Sequence, residues 1–426
     1  MKSLLFILAL LFASPAWATT YYVAATGGND ANSCAQAQSE STPKATMNAG
    51  VGCLSGGDTL QVKNGTYAES FTTAFPSGTV GNPTIINNFA GHAPVAKSTT
   101  GSTAWNLDNK SYITFDGIKF DGSNHTDSTG QVWRHTNGTN NITFKNFEMW
   151  GNIGSGFSMV AGAQTSNITI QDCIMRDMGG GSQNAGSYPV YNVNGVNVII
   201  ERCEIYNVAR NGIKYGEGGS GDTASGEIRY NRIRDWGLLD TNPAQYGNPA
   251  IQTSNYAGNL KIHSNLIHTP RAACGSGVET FAIWIHNTNS NVEIMNNVLD
   301  SDGCANMYLI RMDGAPSAPV TMKNNVFIHS GSTGTVRNDT GETHVYATNR
   351  CDIAGTGCAT TGAMGFVDEA GHNYNPTAGS ALRDAGTDLG ASYATDFAGV
   401  SRPQGAAWDI GAYEYSRRSF LPIIFQ

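Results

Sequence analysis

The chain has 426 residues, of which only 14% are charged and 40% hydrophobic, with 51 glycines. That is enough apolar residue for a core, which excludes a mostly disordered chain. A net charge of -8 argues against a general nucleic-acid binder, which needs a basic footprint.

Met1, Lys2 and Ser3 form a short basic start, followed by the apolar run Leu4 to Phe12 and the small-residue signal Ala16-Trp17-Ala18. This pattern predicts a signal peptide over 1–18, with a mature protein from about Thr19, secreted or periplasmic. No later run is long and apolar enough for a membrane-spanning segment. Eight cysteines in an exported chain predict disulfides: Cys34-Cys53, Cys274-Cys304 and Cys351-Cys358. No cysteine pair has the spacing of a zinc or redox site.

Pro43 to Val51 can form one short amphipathic helix, pinned by Cys34 and Cys53. Beyond it the chain repeats. The segments Tyr112 to Phe120, Asn141 to Met149, Asn167 to Met175, Asn197 to Ile205, Gly226 to Ile233, Asn259 to Ile267, Asn291 to Leu299 and Pro319 to Phe327 share one pattern. Each alternates apolar and polar residues, breaks at a polar turn and resumes, which is the period of a strand. One column sets the register: Phe147, Cys173, Cys203, Asn231, Asn265, Asn297 and Asn325, at steps of 26 to 34 residues. Stacked asparagine amides can bond from coil to coil as a ladder. Cys173 and Cys203 precede them as a small buried pair, reduced or disulfide-linked.

A second strand group starts near Val132, Phe157, Val190, Ile213, Ile251, Ile283, Leu309 and Val336. Two to three strands per repeat, always in the same order, predict an all-β parallel β-helix, a solenoid with a short N-terminal helical cap and an irregular C-terminal cap. The expected layout is an N-cap over about 19–56, coils over about 57–350, a C-terminal cap over about 351–415 and a tail, 416–426, docked on the last coil.

Tyr21 to Asp30 and Gly57 to Glu69 resemble the opening of secreted right-handed parallel β-helix proteins of the pectate-lyase-like superfamily. Ala381 to Gly386 and Arg402 to Glu414 resemble the close of many bacterial members. Asp384, Asp396, Arg402 and Asp409 accordingly read as cap structure. The resemblance implies a saccharide groove over the second strand group, and therefore a polysaccharide partner.

In that group Ile213 and Tyr215, Ile251 and Thr253, Ile283 and Ile285, and Ile310 and Met312 should point inward. The outward column then reads Arg134, a residue near Tyr191 or Asn192, Lys214, Gln252, Trp284, Arg311 and Arg337, with Ser254 and His286 in a second one. Trp284 offers a flat face for a sugar ring, and Arg134, Lys214 and Arg311 suit carboxylates or sulfates. The insertions Gly216 to Ser225 and Gly237 to Asn248 border Lys214 and could wall a cleft. Lyase chemistry on a uronate needs a base and a cation to hold the enolate. Lys214, with Arg210 nearby to lower its pKa, is the candidate base, Arg311 the carboxylate neutraliser and His286 the alternative proton-transfer group. Gln252, Trp284, Arg134 and Arg210 complete the expected substrate contacts.

Calcium stays open as a cofactor, although the outward column lacks the carboxylates a hard cation needs and Glu217 and Asp313 only border it. The paired aspartates of polygalacturonase-type hydrolases are missing. A third outward column, Trp150, Arg176, Tyr206, Arg234, His268 and Asp300, mixes aromatic and basic groups and reads as a sheet face covered by loops. The expectation is a monomer that cleaves an anionic polysaccharide by β-elimination. The alternative is a non-catalytic glycan-binding or surface-adhesion protein.

Overall fold

The fold follows from one local event repeated along the chain. In the computed structural model the described residues are 18–416, without 73–74, 100, 102, 128–129, 161, 180–187, 217–223, 238–248, 255–257, 271–278, 287–290 and 315–318. Backbone φ turns positive at Asn146, Asp172, Arg202, Tyr230, Ser264, Asn296 and Asn324, each just before a member of the predicted column. A left-handed residue bends the strand sharply, so that the side chain after it points inward; after glycine, Asn and Asp tolerate that conformation best.

Among the described residues, a sheet of 21 strands wraps the two sides that meet at this corner, and a ten-stranded sheet covers the remaining side. Pairing from coil to coil is parallel and in register. Ile170, Ile200, Ile228, Ile262 and Ile294 therefore stack in one buried column. Burying each such side chain contributes about 1.5–3 kcal/mol. Earlier coils fill the same interior with rings: Phe115 stacks on Phe144 at 4.7 Å, and Trp105 lies 5.5 Å from Trp133.

The ladder is present and runs one coil further than the sequence reading placed it, to Asn349. From Asn231 to Asn325 each asparagine amide donates to a carbonyl of the preceding coil and to the next asparagine oxygen. For Asn297 these contacts are Ile262 O at 2.9 Å and Asn325 Oδ1 at 3.0 Å. Its own Oδ1 accepts the Asn265 backbone N–H at 3.0 Å. Replacing Asn297 by alanine would orphan buried donors and acceptors on both sides. We expect a loss of about 2–3 kcal/mol, read as a lower urea midpoint with an unchanged slope; a midpoint like wild type would remove the ladder from the stability account.

Cys173 and Cys203, the two ladder positions the sequence left reduced or linked, form a disulfide. Cys34–Cys53 and Cys351–Cys358 are disulfides as expected. Cys304 is also disulfide-bonded, and its expected partner Cys274 lies outside the described residues. These bonds fit a protein that folds outside the reducing cytoplasm. The predicted leader, up to residue 17, and the tail from 417 are likewise outside the described residues. Among those that are described, no helix is long and apolar enough to cross a membrane.

The N-terminal helix is Met47–Val51. The Glu69 carboxylate accepts its first backbone N–H groups, from Met47 at 2.8 Å and Asn48 at 2.7 Å, which satisfies donors that a helix start leaves open. Gly50 lets the helix lie on the first coil, since a Cβ there would sit 2.4 Å from Val23 Cγ2.

The C-terminal segment, expected as an irregular cap, is irregular, and it runs back along the side of the solenoid. Its Met364, Tyr374, Leu382 and Ile410 cover the outward apolar column Leu266, Val298 and Val326. Tyr374 donates to Asp300 Oδ2 at 2.7 Å and Tyr393 donates to Glu293. Asn324 exchanges two hydrogen bonds with the Thr387 backbone. Arg402 and Glu414, both side chains fully buried, pair at 2.9 Å within this segment. Asp384, Asp396 and Asp409 accept backbone N–H groups around that pair and so hold the segment's own fold. The third outward column is largely engaged by groups beside it: Arg176 holds Glu148, Arg234 holds Glu204, and Tyr374 and His372 of the C-terminal segment pack on His268.

Candidate functional site

The ten-stranded sheet presents the outward columns that matter. Register partners run Asn106, Arg134, Ser158, Tyr191, Lys214, Gln252, Trp284, Arg311 and Arg337, one per coil. The sequence column is therefore recovered in order, with Tyr191 at the position left between two neighbours. Parallel strands lie about 4.8 Å apart, so this row is long, and its members do not converge on one point.

Lys214 sits in the middle of the strand Ile213–Tyr215. Its side chain points outward, yet the residue is only 7% exposed. Its ammonium lies 5.2 Å from the Tyr188 ring centre and 5.3 Å from that of Tyr191. Burial, reinforced by the positive charge of Arg210, lowers its pKa to about 8. Asn211, just before the same strand, donates through its amide to Gln252 Oε1 on the next coil at 2.5 Å, and Gln252 Nε2 donates to Ser254 Oγ at 3.0 Å. The insertions expected to wall this region fall largely on 217–223 and 238–248, outside the described residues.

Three coils further on lies a second polar cluster. Asp313 Oδ1 accepts from His286 Nδ1 at 2.5 Å and from Trp284 Nε1 at 3.0 Å. Its Oδ2 meets Arg311 at 3.1 Å. Burial raises the Asp313 pKa, but the hydrogen bonds from His286 and Trp284 and the nearby cations outweigh it, so the carboxyl stays below its usual range. Arg311 also pairs with Asp339 at 3.3 Å, and Arg337 pairs with Asp339 at 2.9 Å and with Glu279.

Three expectations change. Lys214 and Arg311 were read as base and carboxylate neutraliser on one sugar. They stand three strands apart, roughly 14 Å along the sheet, and Arg311 is already neutralised by two aspartates. Arg210, not Arg311, is the cation felt by Lys214. Trp284 was expected as an open platform; it is 5% exposed, with its indole N–H committed to Asp313. Arg134 lies three strands on the other side of Lys214 and does not join either cluster.

Asp313 was placed at the border of the groove, and Asp339 and Tyr188 were missed. Asp313 was legible, because the alternation that turns Arg311 outward also turns out the residue two positions later. Tyr188 precedes its strand, where alternation carries no signal. Asp313 and Asp339, the carboxylates beside Arg311, are both spent on arginines. Among the described residues no three acidic, histidine or cysteine groups gather as metal ligands, and no step is routed through calcium.

No protein-family model and no curated protein sequence matches the chain. Solved structures do. The chain is similar to a pectate lyase (TM-score 0.64, 17% identity, 93% of this chain and 96% of the other). It is similar to a lacto-N-biosidase from Eubacterium ramulus (TM-score 0.57, 13% identity, 81% and 66%). A rhamnogalacturonan lyase also matches (TM-score 0.53, 15% identity, 78% and 87%). At these identities the likeness speaks for the fold. The chain is a right-handed parallel β-helix protein with the pectate-lyase-like fold.

Proposed function

We propose that the protein acts outside the cytoplasm on a uronate-containing polysaccharide and cleaves it by β-elimination, with Lys214 as base. The observation that carries this reading is the Lys214 pocket itself: a buried amine, pKa about 8, beside Arg210 and two tyrosine rings. A neutral amine can take the proton next to the uronate carboxyl group. The Arg210 guanidinium then faces the carboxylate as it becomes an enolate. The bond to the 4-linked oxygen breaks, a double bond forms in the sugar ring, and the leaving oxygen takes up a proton. Two of the similar structures are polysaccharide lyases by name, which favours the same substrate class.

A pure binding module would present a flat, open aromatic and basic stripe. Trp284 is buried and Arg311 is paired with aspartates, which weighs against that alternative.

The test is ultraviolet absorbance of the unsaturated uronate product, with pectate, alginate and chondroitin offered in turn. Because the neutral amine is the active form, the rate should rise about tenfold per pH unit at low pH and level off above about 8. A rate that falls over that range, or no product from any uronate, would overturn the proposal.

A further inference from the structure

Beside the lysine pocket, three side chains line up in a way that elimination does not use. Ser254, His286 and Asp313 are register partners on three consecutive strands, one column over from Gln252, Trp284 and Arg311. Neighbouring strands are about 4.8 Å apart; His286 reaches Asp313 across that spacing, and Ser254 stands one strand away on its other side.

The order of chemistry along that column is what matters. Asp313 receives His286 Nδ1 at 2.5 Å, while Trp284 and Arg311 hold the same carboxylate in place. A carboxylate fixed in this way sets the imidazole's tautomer and orientation, so Nε2 is the atom that exchanges a proton. On the coil before His286 stands Ser254, 5% exposed, whose Oγ accepts the Gln252 amide at 3.0 Å. A hydroxyl that accepts one hydrogen bond still has its own proton to give. The Gln252 amide is in turn held by Asn211, which fixes where its N–H groups point.

We propose that Ser254, His286 and Asp313 are the nucleophile, general base and orienting carboxylate of an acyl-ester hydrolase, acting on small O-acyl groups carried by a polysaccharide. The polysaccharide carrier rests on the functional reading above; the ester chemistry does not. Ser254 Oγ attacks the acyl carbonyl carbon as its proton passes to His286 Nε2. The second Gln252 N–H is the donor for the oxyanion. The ester C–O bond breaks, and the sugar hydroxyl leaves with the proton from His286. Water, deprotonated by His286, then attacks the acyl-serine, which releases the carboxylic acid and restores Ser254. A mostly buried serine suits an acetyl group better than a long acyl chain.

Full-length protein would be treated with a fluorophosphonate probe and its peptides mapped by mass spectrometry. In parallel, acetate release from O-acetylated pectin and from p-nitrophenyl acetate would be measured. The expected result is an adduct on Ser254 and acetate release that falls by about 10³-fold or more in Ser254→Ala and in His286→Ala. Ser254→Ala removes a single oxygen, and Ser254→Cys keeps a nucleophile at the site and should retain part of the activity, so loss through misfolding is separable from loss of chemistry. No adduct on Ser254, or acetate release equal in wild type and Ser254→Ala, would overturn the proposal. Acetate and unsaturated uronate are different products. Elimination without acetate release sinks the serine reading alone, and acetate release without elimination sinks the lysine reading alone.

Discussion

Lys214→Ala is expected to reduce elimination by up to about 10⁴-fold in kcat, the range that a positioned proton-transfer group supplies. The effect should fall on kcat more than on KM, because the amine acts on the proton in flight and most of the groove is untouched. Lys214→Arg is the sharper variant. It keeps the positive charge and most of the volume, but a guanidinium does not deprotonate in the working range, so it too should be inactive. Activity retained in Lys214→Arg would mean that the residue only binds anionic sugar. A third variant reads the electrostatics directly. The positive charge of Arg210 is one of two causes that lower the Lys214 pKa, burial being the larger. In Arg210→Gln the amine should titrate at higher pH, and the rising limb of the rate profile should move to the alkaline side with it. A limb that stays in place would separate the pH dependence from Lys214.

The largest expected loss of stability comes from the C-terminal segment. Arg402 donates to Glu414 at 2.9 Å, to the Asp409 carbonyl at 3.1 Å and to the Gly411 carbonyl at 2.8 Å. Burial raises the Glu414 pKa, and the facing Arg402 opposes that rise. Arg402→Met would strand a buried carboxylate and two carbonyls, at a cost of about 3–5 kcal/mol. The double variant with Glu414→Gln should recover part of the loss, since the unpaired charge goes with it. The measurement is limited proteolysis between residues 364 and 415 alongside thermal unfolding. The single variant should be cut there well before the coils melt. Resistance equal to wild type would show that the segment is held by its apolar contacts alone.

Much of the solenoid was legible because its two signals are local. Period-2 alternation fixed which of Ile213, Ile251 and Ile283 face inward, and the recurring asparagine fixed the register between coils. The ladder's last member escaped because its coil shortens to a step of 24 residues and the apolar pattern around Asn349 has faded. The site was legible as a face but not as a set of contacts. Alternation says that Trp284 points outward; it cannot say that Asp313 and Arg311 close over it. It puts Lys214 and Arg311 in one column, and only the number of intervening strands shows that they cannot share a substrate atom. The path of the C-terminal segment was hidden for a different reason. Its partners lie far back in the chain, with Tyr393 reaching Glu293 across 100 residues, and no local pattern reports a contact at that separation.

That lateral path has a consequence for how this molecule can change its length. A plain stack of coils contacts only its neighbours, so a coil can be duplicated or deleted wherever the strand ends still match. Here the segment after Met364 is anchored at Asn324, Asp300 and Glu293, and so works as a ruler laid across the coils that carry them. Adding or removing one coil there would shift every later anchor by about 4.8 Å against a segment of fixed span. Growth by duplication should therefore be confined to the coils ahead of those the segment covers, which reach back through His268 and Leu266 to Tyr230. The protein can be lengthened from one end and is gauged at the other.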